Sequence, residues 1–190
     1  FLLGIIESQS QIQIEMMCDV FDEITKYWSD NTHYYRGWRS NDKHRTCGMK
    51  IKATRFVLPR HGAGCWSHNF SWETERLLSD FDRVFALVDG KREPAVSLLS
   101  VARQRFDDLR RGERVSSSYF DLRFYRGIGT LHFFPKSKKL IDRFNRIVGA
   151  HRRWLPNETE RVSKDFWMQF DQADKFDKEL RDEIACGPKV

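Results

Sequence analysis

No apolar run in the 190-residue chain approaches the roughly 20 residues a membrane-spanning helix requires, so no membrane partner is expected. The longest N-terminal apolar stretch, Phe1–Ile6, has no basic residues before it and is too short for a signal peptide. Glycine (11) and proline (5) are too few for a collagen-like or low-complexity chain. Cysteine is sparse as well. Cys18, Cys47, Cys65 and Cys186 are scattered, unlike the dense framework of a small secreted scaffold, which favours a reducing, cytoplasmic setting. Several activities lack their marks. There is no Gly-x-Gly-x-x-Gly after a strand, no Gly-x4-Gly-Lys phosphate loop, no Gly-x-Ser-x-Gly and no His-Glu-x-x-His, and no cofactor is expected.

What the chain does have is core-forming material: 40% hydrophobic residues, with 15 Phe and 6 Trp. No internal repeat and no long linker divides it, so residues 1–190 read as one domain, with 1–11 as an N-terminal extension. From Ile12 to Trp28, Ile14, Met17, Cys18, Phe21, Ile24 and Trp28 recur at helical spacing. Met49, Ile51 and Ala53 alternate with Lys50, Lys52 and Thr54, predicting a strand with a basic outer face that runs to Leu58 and stops at Pro59. Ser71 is a good N-cap for a helix buried through Leu77, Leu78, Phe81, Val84, Phe85 and Val88 and ended by Gly90. Pro94 is suited to open a further helix with Leu98, Leu99, Ala102, Phe106 and Leu109 inward and Gly112 at its end. Ser116–Pro135 reads as a hairpin turning at Arg126–Gly129. Ser137 then caps a helix buried through Leu140, Ile141, Phe144, Ile147 and Val148, and Ser163 caps a C-terminal helix over 163–184. The sum is α+β: amphipathic helices packed on a small, mostly antiparallel sheet.

Charge is segregated. Arg36–Arg60 holds eight basic residues and one acidic, Lys136–Arg153 seven against one, and Asn157–Ile184 nine acidic against five basic. Such segregation suits basic surfaces that meet an anionic partner, although a basic run also serves as a plain solvated face. The sharper candidate is the helix after the hairpin, where Lys139, Arg143 and Arg146 share one side, Lys136 precedes them, and Arg152 and Arg153 follow. Cations one helical turn apart suit phosphates, and Tyr119, Tyr125, His132, Phe134 and Trp154 lie near enough in sequence to offer rings to unpaired bases or simply to cover the sheet. A second candidate is the loop carrying Arg36, Trp38, Arg39, Lys43 and Arg45, where guanidinium forks alternate with flat rings. It equally resembles a rigid structural loop.

Two weaker constellations remain. His44, Cys47, His61, Cys65 and His68 have zinc-like spacings, but no Cys-x2-Cys knuckle accompanies them, and surface histidines with buried thiols fit as well. Arg146-x4-His151 resembles the short active-site motif of HEPN-type ribonucleases, which implies acid/base work for His151 and phosphate steadying by Arg146. Those domains are all-helical, whereas a hairpin is expected here.

The segments Arg36–Met49 and Thr54–Pro59, with Phe124–Phe133 and Leu140–Asn145, resemble a bacterial family, domain of unknown function 4942, from about Phe21 to Glu183. Its hairpin typically turns through Asn-Gly-Asn, where this chain has Gly127-Ile128-Gly129. The resemblance implies a prophage or mobile-element setting, in which some members carry a methyltransferase-like domain alongside. It supplies no catalytic residues. The resulting expectation is a non-enzymatic nucleic-acid-binding or accessory domain, DNA or RNA being its ligand. The alternatives are a module that docks on a methyltransferase or other protein, and a ribonuclease using Arg146 and His151.

Overall fold

The computed structural model describes residues 2–25, 50–59, 69–155, 163–168 and 172. The elements follow in chain order: α1 (Leu2–Thr25), β1 (Phe56–Pro59), α2 (Trp72–Val88), α3 (Leu98–Gln104), α4 (Phe106–Arg110), β2 (Arg114–Ser116), β3 (Phe120–Tyr125), β4 (Thr130–Pro135) and α5 (Lys138–His151), with a further helical stretch at 164–168. The class is α+β, as the periodicities predict.

Helical spacing in α1 buries Met17, Cys18, Val20, Phe21 and Ile24. The helix begins at Leu2, ten residues before the expected start, and its residues 8–13 are exposed. That stretch has no apolar stripe, so periodicity could not reveal it. Trp28 lies outside the described residues.

Ser71 Oγ accepts from Thr74 N at 3.2 Å and opens α2, with Glu73 and Glu75 on the positive end of its dipole. The expected stripe is buried throughout. At its far end, Gly90 N–H donates to Leu87 O and Lys91 N–H to Ala86 O, a Schellman closure that needs the positive φ of Gly90 (72°). The next helix departs from expectation. Pro94 stays in the loop and Ser97 is the cap, its Oγ accepting from Ser100 N at 3.1 Å. Asp82, buried on α2, takes the N–H groups of Leu98 (2.9 Å) and Leu99 (3.3 Å) and the Ser97 hydroxyl (2.7 Å). A break at Arg105 (φ −109°) then divides the predicted helix into α3 and α4.

The four strands are antiparallel in the order β1-β4-β3-β2. In the β3–β4 hairpin Leu122 opposes Phe133 and Phe124 opposes Leu131. β2 pairs Arg114 with Arg123 and Ser116 with Asp121; three residues with one apolar side chain left no sequence signal for it. The strand expected over 49–58 shrinks to β1, and its basic outer face does not form, because Lys50 is buried. Fully buried Ile51 is held instead by Asn145 of α5, whose Oδ1 accepts from Ile51 N and whose Nδ2 donates to Ile51 O, both at 2.9 Å. Pro59, at the end of an edge strand, withdraws no central ladder bond.

The helices and one sheet face enclose a phenylalanine cluster. Phe56 stacks on Phe133 at 5.0 Å, while Phe120 meets Phe85 (4.7 Å) and Phe56 (5.8 Å) edge to face.

Candidate nucleic-acid interface

α5 is the element the charge pattern singles out. Ser137 Oγ caps it by accepting from Leu140 N at 3.3 Å, and Ile141, Phe144, Asn145 and Val148 turn inward. That leaves Lys139 and Arg143, one helical turn apart, exposed on one side, with Lys138 exposed about 100° round the helix from Lys139. None of the three makes a hydrogen bond or an ion pair among the described residues. Arg143 lies close enough to the C-cap of α2 to help hold the Asp89 carboxyl below its usual range, a shift owed first to the hydrogen bond from Lys91. The first turn of α5 contains no acid, so two lysines sit at the positive end of the helix dipole. Stability alone would favour carboxylates there.

Of the other cations expected on this surface, Lys136, Arg146 and Arg152 are committed elsewhere. Lys136 Nζ donates to Ser116 Oγ (2.6 Å) and to the Ser117 carbonyl, and lies 3.6 Å from Asp121, tying β4 to β2 and β3. Arg146 has its guanidinium 4.0 Å from the Trp167 ring centroid. Arg152 pairs with Asp22 of α1 at 2.5 Å and lies over the rings of Phe21 and Trp154 (5.6 and 5.1 Å). The Asp22 hydrogen bond is the main reason its pKa is raised. Arg153 is exposed and takes a left-handed backbone conformation (φ 57°). His151 is exposed, five residues beyond Arg146. At 3.6 residues per turn the two point about 140° apart, so α5 does not converge them on one phosphate.

The aromatic candidates divide in the same way. Tyr119 belongs to the core, packed on Phe85, with its hydroxyl donating to Asp89 at 3.3 Å and burial pushing its pKa up. Tyr125, His132 and Phe134 do share the second sheet face, but arginines already cover them. Arg114 lies 4.0 Å and Arg55 5.6 Å from the Phe134 ring centroid, and Arg123 4.8 Å from that of Tyr125, whose ring is 4.2 Å from His132. Stacking a base there would require displacing an arginine. Sequence reading missed Arg55, Arg114 and Arg123. The alternation of β3 could have placed Arg123 beside Tyr125, but Arg114 needed a strand with no signal of its own.

Arg36, Trp38, Arg39, Lys43 and Arg45 lie outside the described residues, as do His44, Cys47, His61, Cys65 and His68. Among the described residues no group of three or more His, Cys, Asp or Glu is placed to hold a metal ion. No described helix is long and apolar enough to cross a membrane.

The model of a domain of unknown function, DUF4942, matches residues 1–154. The chain belongs to this family. No curated protein and no solved structure matches it. The DUF4942 match begins earlier and ends earlier than the Phe21–Glu183 span of the resemblance. It takes in all of α1 and stops at Trp154, just after α5. Residues 163–168, which bring Trp167 onto Arg146, therefore lie beyond the DUF4942 portion.

Proposed function

We propose that this DUF4942 chain is a non-enzymatic nucleic-acid-binding domain that contacts phosphates through the outward face of α5. One observation carries the reading: Lys138, Lys139 and Arg143 stand exposed and make no hydrogen bond or ion pair among the described residues, and the two lysines lie in the first turn of the helix, where cations cost stability. Phosphates would restore that balance and release counterions. Within this reading the ligand is DNA or RNA of a prophage or mobile element, a setting that rests on what the family resemblance implies, met in the cytoplasm that the scattered cysteines favour.

Fluorescence anisotropy of labelled single-stranded RNA, single-stranded DNA and duplex DNA across a salt series tests it. Lys139→Glu with Arg143→Glu is expected to abolish binding at moderate salt. Losing two phosphate contacts would also flatten the slope of log K against log salt by about 2. Both side chains are exposed, so the thermal midpoint should hold. Equal binding by the double variant, or no binding by the parent at low salt, refutes the reading.

A further inference from the structure

On a chain with a formal net charge of +6, one large cavity among the described residues is acidic. It is a cleft of about 790 Å³ between α1 and α2, and its wall carries five carboxylates against one cation, Arg76. Asp22 is neutralised by Arg152. Asp19, Glu73 and Asp80 make no hydrogen bond or ion pair among the described residues. The Asp80 carboxyl is pushed up by burial, against the opposing charges of Arg76 and Arg83, and Asp19 of α1 adds a smaller repulsion across the cleft.

The floor is apolar, formed by Met16, Val20, Leu77 and Val84. At the mouth stands Trp72, 71% exposed, the most exposed of the large apolar side chains described. Wall residues on α2 run from Trp72 to Val84, about 18 Å at 1.5 Å per residue. That is three helical turns, the length of a peptide segment rather than of a compact small molecule.

We propose that the α1–α2 cleft is a docking groove for a cationic amphipathic segment of another protein. An apolar side chain of that segment would pack against Trp72, Met16 and Val20, and its Lys or Arg residues would lie between Asp19 and Asp80. Charge complementarity selects this occupant. An anionic or purely apolar segment would leave facing carboxylates desolvated and unpaired, whereas a cationic one relieves the repulsion. Trp72 stands at the rim, with the Arg76 guanidinium 5.3 Å from its ring centroid, and Trp is a residue type enriched among the side chains that dominate such interfaces. The inference is independent of the nucleic-acid reading, which rests on α5.

The test uses the full chain and a labelled 14-residue Lys/Leu amphipathic helical peptide, with its Glu/Leu counterpart as control. Saturable one-to-one binding of the Lys/Leu peptide is expected, with none of the Glu/Leu peptide. Binding should weaken at least tenfold in Asp19→Asn/Asp80→Asn, which keeps side-chain shape, and in Trp72→Ala, which alters an exposed position. Absence of saturable binding below about 1 mM, or equal binding by both variants, overturns the proposal. So would concentration-dependent dimerisation abolished by Asp19→Asn/Asp80→Asn, which would make a second copy the occupant. A thermal shift with Ca²⁺ or Mg²⁺ that the same variant abolishes would make the cleft a cation site and overturn it too.

Discussion

Asp80 illustrates how much a single position depends on what surrounds it. Its carboxyl is half-buried on α2, and burial raises its pKa, the nearby charge of Asp19 adding to the effect while Arg76 and Arg83 work against it. A carboxylate whose folded pKa exceeds its unfolded one subtracts from stability while ionised, and the loss is relieved as pH falls through the folded value. Asp80→Asn should therefore raise the thermal midpoint near pH 7 by about 1–2 °C, the response of a chain this long to a fraction of 1 kcal/mol. The gain should fade as the pH falls through the raised folded pKa and be gone below the ordinary Asp value of about 3.9, where the parent carboxyl is protonated in both states. Thermal melts across pH 3–8 check it, and a difference that does not change with pH would contradict the burial argument. The same dependence explains which site residues the sequence could not sort. Lys136, Lys139, Arg143 and Arg152 look alike in a basic run. Only tertiary pairing, such as that of Arg152 with Asp22 130 residues away, shows which are already engaged.

At the scale of elements, local rules carried furthest where the deciding contacts are local. The caps Ser71 and Ser137, the inward stripes of α2 and α5 and the β3–β4 hairpin depend on residues within one or two turns, and all were legible. The failures share a non-local cause. Ile51 is held by an amide 94 residues downstream, so strand-like alternation over 51–55 did not become a strand. Asp82 receives the start of α3 from 15 residues upstream, fixing the cap at Ser97 when Pro94 was the local signal. The Schellman closure of α2 gives a direct test. Gly90 has open space around its Cα but a φ of 72°, so Gly90→Ala meets backbone strain alone and should cost about 1–2 kcal/mol. Gly127, in the hairpin turn, also has open space but no positive φ, and Gly127→Ala should be neutral or slightly stabilising. Urea denaturation of both variants measures the difference; equal costs would show that the positive φ at Gly90 is not what α2 needs.

For the molecule as a whole, the question is how helices contributed by both ends of the chain act as one body around a four-stranded sheet. The rings supply the physical connection. Phe120 of β3 touches Phe56 of β1, Phe81 and Phe85 of α2, and Phe133 of β4, all between 4.7 and 6.0 Å centroid to centroid. Phe85 in turn meets Phe144 of α5, which meets Phe21 of α1. The basic face of α5 and the acidic α1–α2 groove are thus opposite-signed surfaces mounted on one connected core. Phe120→Ala removes a fully buried ring from its centre and should cost about 3–5 kcal/mol, a large share of the roughly 5–15 kcal/mol that holds a domain folded. Because the cluster joins both sheet and helices, urea transitions followed by far-ultraviolet circular dichroism and by tryptophan fluorescence should move together to a lower midpoint with unchanged slope. Transitions that separate in the variant, with α1 or α5 melting before the sheet, would mean that the ring network does not couple the two surfaces, and each would then have to be treated as a separately stable unit.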